Sequence, residues 1–189
     1  EGSGNTFFLS QPQSELDGIQ LIDIRGTGDN TLMLDAGRIR STFDGGEIFV
    51  VSDSGDTVDF DDDWVFKQAI VDGQRLVRRF VNAGATLNLA GPDDFCNPIN
   101  EFDVNASGHV SAIDALLVIN ELGRRLFSDA DSRPSGQVRD LDQINLDQFR
   151  FYDVSADGRL TALDALRIIN QLARVRATAE SVDAAIRGW

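Results

Sequence analysis

The spacing of apolar residues in this 189-residue chain changes near residue 92. Before that point, short runs such as IQLIDI, NTLMLD, EIFVVSD and QRLVRRFV alternate apolar with polar positions and are rich in β-branched and aromatic residues. Gly, Asp and Asn separate the runs, a pattern that is typical of about seven short strands joined by tight turns. No helical spacing interrupts them. We therefore expect residues 1–92 to form an all-β sandwich or a rolled sheet.

Two turn patterns refine the prediction for this half. Asp72-Gly73 lies between two strand-like runs, and Asp-Gly favours the tight turn of a β-hairpin. In addition, residues 24–34 (IRGTGDNTLML) parallel residues 51–60 (VSDSGDTVDF), which predicts two stacked rungs. The Gly and Asp residues resemble those of calcium-binding β-rolls, but their phases do not repeat in tandem. Repeated turn chemistry is therefore the preferred interpretation over a calcium site.

Beyond the Gly-Pro break in residues 90–94, the apolar spacing becomes helical. Two similar segments, residues 115–125 (ALLVINELGRR) and residues 165–175 (ALRIINQLARV), carry apolar residues three or four positions apart. A further short helix is predicted within residues 140–150. The chain is therefore predicted to be α+β, with segregated domains at residues 1–92 and 93–189. We expect two apolar faces to pack on each other, namely Leu116, Ile119 and Leu122 against Leu166, Ile169 and Leu172.

Each of these two helices directly follows a twelve-residue loop, residues 103–114 (DVNASGHVSAID) and residues 153–164 (DVSADGRLTALD). Oxygen-bearing side chains stand at loop positions 1, 3, 5, 9 and 12 and Gly at position 6, which is the spacing that wraps oxygens around Ca²⁺. The duplication predicts two calcium ions, in preference to metal-free turns that only cap the helices. The predicted ligands are Asp103, Asn105, Ser107, the His109 carbonyl, Ser111 and Asp114 in the first loop, and Asp153, Ser155, Asp157, the Arg159 carbonyl, Thr161 and Asp164 in the second.

Three details of the loops lead to further expectations. Position 12 is Asp rather than the longer Glu of EF-hands, and each loop offers only two or three carboxylates. Since calcium affinity rises with ligand charge and site rigidity, we expect binding in about the micromolar to sub-millimolar range. Gly108 and Gly158 should adopt a positive φ. Val110 and Leu160, at position 8, should pair across a short β-bridge.

Charge and the rarer residues exclude several functions. Asp and Glu number 31 against 17 Lys and Arg, giving a formal net charge of −14, which argues against a nucleic-acid partner. Cys96 is the only cysteine and His109 the only histidine, so neither a disulfide within the chain nor a Ser-His-Asp or Cys-His catalytic site is expected. No apolar run is long enough to span a membrane. We expect a non-catalytic monomer, cut from a larger enzyme or adhesin.

The segment before the first loop distinguishes it from an EF-hand, because Pro98 and the brevity of residues 95–102 oppose an entering helix. A calcium loop with only an exiting helix, duplicated after a linker, resembles a dockerin module. The run D-V-N-x-x-G-x-V-S-x-x-D-A-L-L-V-I-N-x-L in residues 103–122 is similar to type I-like dockerins of large bacterial secreted or surface proteins, in which β repeats precede the module. The resemblance implies a paired F-hand, an extracellular or cell-surface location, and attachment to a cohesin-type β-sandwich.

The resemblance also implies a partner surface around loop positions 10 and 11, which are apolar here rather than the Ser-Thr type pair of cellulosomal dockerins. Two alternatives remain open. The module could instead cap the β domain of its own chain, or the β domain could bind carbohydrate, with Trp64 and Phe66 as the start of a sugar platform and a polysaccharide-degrading enzyme as the source. The expected partner-binding residues are Ala112, Ile113, Leu117, Ala162, Leu163 and Arg167.

Overall fold

The computed structural model describes residues 4–8, 19–26, 28–60, 63–72, 75–91, 95–127 and 146–187. The chain is α+β, as predicted, and divides into two compact units. The first unit comprises residues 1–94 and 136–149, and the second comprises residues 95–135 and 150–189. A 3-10 helix at Leu146–Gln148 therefore belongs to the first unit, whereas the predicted limits of 1–92 and 93–189 placed it in the second. The remainder of the short helix predicted in residues 140–150 falls partly outside the described residues.

The described part of the first unit forms two sheets. Their strands are β1 (Thr6–Phe8), β2 (Leu21–Asp23), β3 (Thr31–Leu34), β4 (Glu47–Val51), β5 (Thr57–Phe60), β6 (Val65–Asp72), β7 (Arg75–Asn82) and β8 (Ala85–Ala90). The three-stranded sheet has the order β1-β3-β5 and the five-stranded sheet has the order β2-β4-β8-β7-β6. The predicted hairpin is confirmed by the antiparallel pairing of β6 with β7, although its turn lies outside the described residues.

The similarity between residues 24–34 and residues 51–60 corresponds to two stacked rungs, as predicted. Strand β2 pairs in parallel with β4, with Asp23 opposite Val51, and β3 pairs in parallel with β5, with Thr31 opposite Thr57. The chain thus passes from one sheet to the other and back, and each pass lies on the one before. Strand β1 adds a third rung to the smaller sheet, with Thr6 opposite Thr31, which the sequence pattern did not reveal.

The turns between the sheets are stacked through polar side chains. Asn30, which is 8% exposed, donates from its side-chain amide to Asp56 Oδ1 at 3.2 Å and to the Gly28 carbonyl at 3.1 Å. Asn5 donates to Asn30 Oδ1 at 3.5 Å. Each of these three Asx residues directly precedes a threonine that begins a strand. The interpretation as repeated turn chemistry is therefore supported, because Asp56 here accepts hydrogen bonds from protein N–H groups.

Hydrogen bonds also decide the charge state of Asp56. Its burial acts to raise the pKa of the carboxyl group, but hydrogen bonds from the backbone N–H groups of Asp53 and Asn30 outweigh this effect, so the pKa is lowered from 3.8. These bonds measure 3.0 Å from Asp53 and 2.9 Å from Asn30. The carboxylate therefore joins two successive rungs.

The expectation of an all-β first half was wrong, because a helix, α1 (Ala36–Thr42), connects β3 to β4. Asp35 caps it by accepting a hydrogen bond from the Arg38 N–H at 2.8 Å. The helix has only seven residues and buries Ala36 and Ile39. Ile39 is its one large buried apolar residue. A helix this short does not produce a helical spacing of apolar residues that could be recognised in the sequence.

The core of the first unit includes Trp64, which is 2% exposed. Its ring meets Phe60 edge to face at 6.0 Å between centroids, and Phe66 meets Phe80 at 5.6 Å. Trp64 is therefore a core residue without an exposed face for stacking on a sugar. The large apolar side chains of the first unit that are almost completely buried are Leu32, Ile39, Ile48, Val50, Val77, Phe80 and Leu87.

The second unit contains the two predicted loop-helix repeats. Helix α2 (Ala112–Arg124) follows the first loop and helix α3 (Ala162–Arg187) follows the second, and the two helices contact each other. Residues 95–102 contain turns and bends without a helix, so the absence of an entering helix at the first loop is confirmed. Arg125 follows helix α2 as its C-cap and adopts a left-handed conformation with φ 51°.

The prediction for the packed helix faces was wrong at four of its six residues, whereas Leu122 and Leu172 are partly buried. Leu116 and Ile119 are 54% and 47% exposed, and their counterparts Leu166 and Ile169 are 49% and 46% exposed. The buried positions are instead Ala115 and Val118 on α2, and Ala165 and Ile168 on α3. The helices therefore pack through the residues that lie one position earlier in each repeat, and the predicted residues Leu116, Ile119, Leu166 and Ile169 face solvent.

Candidate functional site

The backbone of each loop adopts a left-handed conformation at loop positions 4 and 6. Gly108 and Gly158 have φ values of 88° and 72°, which confirms the expected left-handed conformation. No atom lies within 4 Å of the place where a β-carbon would stand on either glycine, so the requirement for glycine is conformational rather than steric. Ala106 and Ala156 also have positive φ values, 53° and 54°, which the sequence did not indicate.

The first carboxylate of the first loop organises the turn around itself. Asp103 is 2% exposed. Its Oδ1 accepts a hydrogen bond from the Ser107 N–H at 3.0 Å, and its Oδ2 accepts one from the Gly108 N–H at 2.7 Å. Because these donors belong to loop positions 5 and 6, the chain curls back over Asp103.

Asp114, at position 12, closes the loop from the other side and is fully buried. Its Oδ2 accepts from the Ser111 N–H at 2.8 Å, while Ser111 Oγ accepts from the Ile113 N–H at 3.2 Å. These contacts form a capping box at the start of α2. The other oxygen, Oδ1, accepts from the Asn105 N–H at 3.2 Å. Asp114 therefore joins loop position 3 to the helix.

The second loop repeats the backbone hydrogen bonds that the carboxylates of positions 1 and 12 accept. Asp153 Oδ2 accepts from the Gly158 N–H at 2.8 Å. Asp164 Oδ1 accepts from the Ser155 N–H at 2.9 Å, and its Oδ2 accepts from the Thr161 N–H at 2.8 Å. Asp153 and Asp164 are 4% and 0% exposed. The duplicated sequence thus places two buried carboxylates in each loop with the same backbone donors.

Each loop therefore buries two carboxylates, and nothing in the described part of the chain balances their charge. Among these residues, no Arg, Lys or His forms an ion pair with the carboxylates of positions 1 and 12. Burial raises the pKa of the Asp153 carboxyl to about 6; the Gly158 N–H acts against the rise and the nearby Asp164 carboxylate adds to it. Buried negative charge without a cationic partner is unfavourable, so both loops favour binding of a cation.

The remaining predicted ligands lie between these carboxylates along each loop. In the first loop, Asn105 Oδ1 accepts from the Ser107 N–H at 2.9 Å, and the Ser107 hydroxyl donates to the His109 carbonyl at 3.1 Å. In the second, the Ser155 hydroxyl donates to Asp153 Oδ1 at 3.3 Å, and Asp157 Oδ1 accepts from the Arg159 N–H at 2.9 Å. Ser111 and Thr161 use their hydroxyl groups as helix caps.

No three His, Cys, Asp or Glu side chains within the described ranges are grouped so that they could hold a metal ion by themselves. Any cation in these loops therefore needs amide, hydroxyl or carbonyl oxygens to complete its shell. Ca²⁺ accepts such a mixture of neutral and charged oxygens. The donor set fits calcium in both loops.

The two loops are joined by backbone hydrogen bonds, but not through the residues expected. The Phe151 N–H donates to the Val104 carbonyl at 2.9 Å, and the Asp153 N–H donates to the Phe95 carbonyl at 3.0 Å. Among the described residues, Val110 and Leu160 form no β-bridge, so that expectation was wrong. Each loop is instead anchored to the segment that leads into the other.

The expected partner-binding residues differ in exposure. Ile113 and Leu163 are 59% and 51% exposed, and the preceding residues Ala112 and Ala162 are also exposed, whereas Leu117 and Arg167 are partly buried. Arg167 forms an ion pair with Glu101 at 3.2 Å and lies 6.0 Å from the centre of the Phe102 ring.

Each helix presents the same exposed apolar stripe, of which Leu116, Ile119, Leu166 and Ile169 were predicted to be core residues and Ile113 and Leu163 to bind a partner. On α2 the stripe consists of Ile113, Leu116 and Ile119, and on α3 of Leu163, Leu166 and Ile169. All six side chains are 46–59% exposed. Exposed apolar patches of this kind are typical of interaction surfaces.

None of the described helices is both long and apolar enough to cross a membrane.

The comparisons with known proteins bear mainly on the second unit. No curated protein and no solved structure matches the chain significantly. Dockerin domains in general bind calcium, are non-catalytic, and attach extracellular or cell-surface proteins to cohesins. Residues 101–173, which contain both loops and the helix segments that follow them, match the family model of the dockerin type I domain.

Proposed function

We propose that the second unit is a non-catalytic attachment module that binds two calcium ions, one in each loop, and docks onto a cohesin-type β-sandwich partner outside the cell. The four buried loop carboxylates carry this proposal. They stand in pairs, each pair within one loop, and the described residues supply no cation to balance them. Calcium is the cation whose coordination chemistry fits the oxygens around them.

The proposed ligands are those expected from the sequence. Asp103 and Asp114 supply the charged oxygens of the first site, and Asp153, Asp157 and Asp164 those of the second. Neutral oxygens complete each shell, either directly or through water: Asn105, Ser107, the His109 carbonyl and Ser111 in the first loop, and Ser155, the Arg159 carbonyl and Thr161 in the second. The capping hydrogen bonds made by Ser111 and Thr161 are compatible with a water-mediated contact at position 9.

Two calcium ions would act mainly as structural elements. Both loops lead directly into helices, and position 12 of each loop also belongs to a capping box. An ion that holds positions 1 and 12 together therefore fixes the start of the following helix. The predicted weak affinity suits an extracellular environment in which calcium is abundant.

The proposed partner surface combines the sequence prediction with the two exposed stripes. Ile113 and Leu163 belong to both. Leu116 with Ile119 on α2, and Leu166 with Ile169 on α3, extend the surface along the helices. An apolar centre with charged residues at its margin is the common composition of a protein interface, and Arg167 with its partner Glu101 provides charge beside the α3 stripe.

The carbohydrate-binding alternative receives no support from the first unit, because Trp64 is buried. Attachment is therefore the function that the geometry supports best.

The calcium proposal is tested by isothermal titration calorimetry of the chelator-treated protein. We expect two ions per chain, together with a gain in thermal stability and far-UV helical signal. Asp103→Ala combined with Asp153→Ala should abolish binding and reproduce the effect of EGTA. The matched control, Asp44→Ala combined with Asp59→Ala, removes two exposed carboxylates from the first unit and should bind normally. Two bound ions in the loop double variant would refute the ligand assignment.

The partner surface is tested by surface plasmon resonance against a panel of cohesin domains in calcium-containing buffer. Leu116→Asp combined with Leu166→Asp places a charge in each stripe and should reduce binding at least tenfold, since about 1.4 kcal/mol corresponds to a factor of ten. Leu126→Asp, at an equally exposed leucine outside the stripes, should bind as the unmodified chain does. Equal losses in both variants would assign docking to another surface.

A further inference from the structure

Helix α3 continues well beyond the dockerin type I match. The match ends at residue 173, whereas the helix runs from Ala162 to Arg187. Helix α2, which follows the first loop, ends at Arg124 after 13 residues, while α3 has 26. The second half of α3 therefore has no counterpart in the first repeat and needs a separate explanation.

Every side chain described from Ala173 to Ser181 is exposed. A helix in water gains most of its stability from packing one face against another element. Two exposed ion pairs along the helix, Arg176 with Glu180 at 2.8 Å and Arg187 with Asp183 at 2.7 Å, contribute little by comparison. No described residue of the second unit covers the side chains of residues 173–181, and a partner helix would supply that packing.

Five apolar residues of the extension are spaced alternately three and four positions apart, namely Leu172, Val175, Ala179, Val182 and Ile186. The alternation of three and four is the a and d spacing of a coiled coil, which keeps one seam facing a partner helix. The other apolar residues of the extension are all alanines, at positions 173, 177, 184 and 185, and lie outside this seam. The same spacing continues backward to Ile168 and Ala165, which are buried. Val175, in contrast, is 58% exposed, so the seam passes from the packed part of the unit into solvent.

We propose that residues 172–186 of α3 form an antiparallel two-helix coiled coil with the same segment of a second copy of this chain. A seam with this spacing is complementary to itself, because side chains at a and d of one helix fill the gaps between those of the other. Ala179 lies near the middle of the segment, and its small side chain permits the two backbones to approach closely. The partner chemistry is therefore an identical helix.

Charge complementarity determines the orientation. With Leu172 at position a, Arg176 and Asp183 occupy position e, beside the seam. In an antiparallel pair, e residues of one helix lie near e residues of the other, so Arg176 of each copy meets Asp183 of its partner copy. In a parallel pair the same residues would lie near Gln171 and Thr178, which are uncharged. Opposite charges beside the seam set the orientation of coiled coils.

Such a dimer places two attachment modules at opposite ends of a shared helical pair. It departs from the monomer expected from the sequence, because that expectation did not take into account the spacing beyond Leu172. The seam contains neither the proposed calcium ligands nor the proposed partner surface. Failure of the dimer would therefore leave the proposed function unaffected, and the measurement is made at saturating calcium so that α3 is folded.

Sedimentation equilibrium of the full chain, over a roughly hundredfold range of concentration, tests the proposal. We expect the average mass to rise toward twice the mass of the 20.7 kDa chain. Val175→Asp places a charge in the seam and should keep the protein monomeric throughout. Ala177→Asp introduces the same charge on the opposite face of α3 and should leave dimerisation unchanged.

Three results would overturn the proposal: a chain that stays monomeric at every concentration, a dimer that persists in Val175→Asp, or equal loss of the dimer in both variants. A dimer abolished by Leu116→Asp combined with Leu166→Asp, but retained in Val175→Asp, would assign self-association to the stripes instead. Far-UV circular dichroism establishes that each variant remains folded.

A charge exchange tests the orientation. Arg176→Asp alone brings two acidic residues together in the antiparallel pair and should weaken the dimer several-fold. Adding Asp183→Arg restores opposite charges and should recover most of the affinity. If the second change brings no recovery, the antiparallel arrangement is wrong.

Discussion

The backbone N–H of Phe151 donates a 2.9 Å hydrogen bond to the carbonyl oxygen of Val104. Val104 is the second residue of the first loop, and Phe151 lies two residues before the second loop. Both side chains are buried, at 0% and 1% exposure. A shift of either loop is therefore transmitted to the other through a rigid, solvent-excluded contact.

This contact predicts that the two calcium sites are coupled. Asp153→Ala should remove binding at the second loop and also weaken binding at the first by about fivefold or more, within the usual range of coupling between sites. Calorimetry should then give one ion per chain with a reduced affinity. Arg159→Ala alters a side chain of the second loop but retains its carbonyl, so it should preserve both sites. An unchanged first site in Asp153→Ala would show that the loops act independently.

Neighbouring positions in one loop should respond in opposite directions to exchange between Gly and Ala. Gly108→Ala forces a β-carbon into the left-handed region and should destabilise the calcium-bound unit by about 1 kcal/mol. Ala106→Gly relieves strain at φ 53° and should stabilise the unit by a few tenths of a kcal/mol, because the greater chain entropy of glycine offsets part of the gain. Urea unfolding measured by far-UV circular dichroism at saturating calcium checks both. Destabilisation by Ala106→Gly would contradict the argument.

The close contact between the stacked turns of the first unit predicts that the unit is destabilised when Gly55 is replaced by alanine. A β-carbon on Gly55, at φ 99°, would overlap Oδ1 of the exposed Asp29 side chain. Gly55→Ala should therefore destabilise the first unit by about 2 kcal/mol, through backbone strain and displacement of that side chain. Gly45→Ala is the matched control, since Gly45 also has a positive φ but no atom within 4 Å, and its cost should be only about 1 kcal/mol.

Fluorescence of the buried Trp64 reports this unfolding in a Trp189→Phe background, which leaves Trp64 as the only tryptophan. Equal losses in Gly55→Ala and Gly45→Ala would show that stacking of the turns does not restrict position 55.

Acid should weaken the first unit through Asp56. The pKa of this carboxyl is lowered in the folded chain, so the carboxylate stabilises the fold at neutral pH. That contribution is present above the unfolded pKa of about 3.9 and is lost as the pH falls through the lower folded value. Asp56→Asn cannot ionise, and its unfolding free energy should fall less between pH 5 and pH 2 than that of the unmodified chain. Denaturant titrations of Trp64 fluorescence at several pH values measure this, and identical pH dependence in both proteins would exclude Asp56 as the source.

Local chemistry made the loops and the rungs predictable from the sequence. A calcium loop needs oxygens and a glycine at fixed positions, so Gly108 and Gly158 were identified together with the helices that follow them. The stacked turns were recognisable for the same reason, because Asp56 and Asn30 occur in similar local runs. In both cases the residues that determine the structure are close together in the chain.

The remaining features depend on what packs against each residue. Helix α2 carries two apolar stripes, and a spacing of three fits Leu116 with Ile119 as well as Ala115 with Val118. Only tertiary packing determines which stripe is buried, and it favours the smaller residues. Helix α1 was not predicted, because its stability depends on the Asp35 cap and on burial of Ile39. Neither feature produces a helical spacing of apolar residues in the sequence.

The order of strands in the larger sheet has a consequence for how the first unit folds. Strands β6, β7 and β8 are consecutive antiparallel neighbours, so they can pair across short connections at little cost in chain entropy. Strand β4 pairs with β8 in parallel, and this contact must close a loop that contains β5 and the whole hairpin. Closing such a loop slows folding. The three-stranded meander should therefore form early and act as the template on which β4 and then β2 are added, one rung at a time.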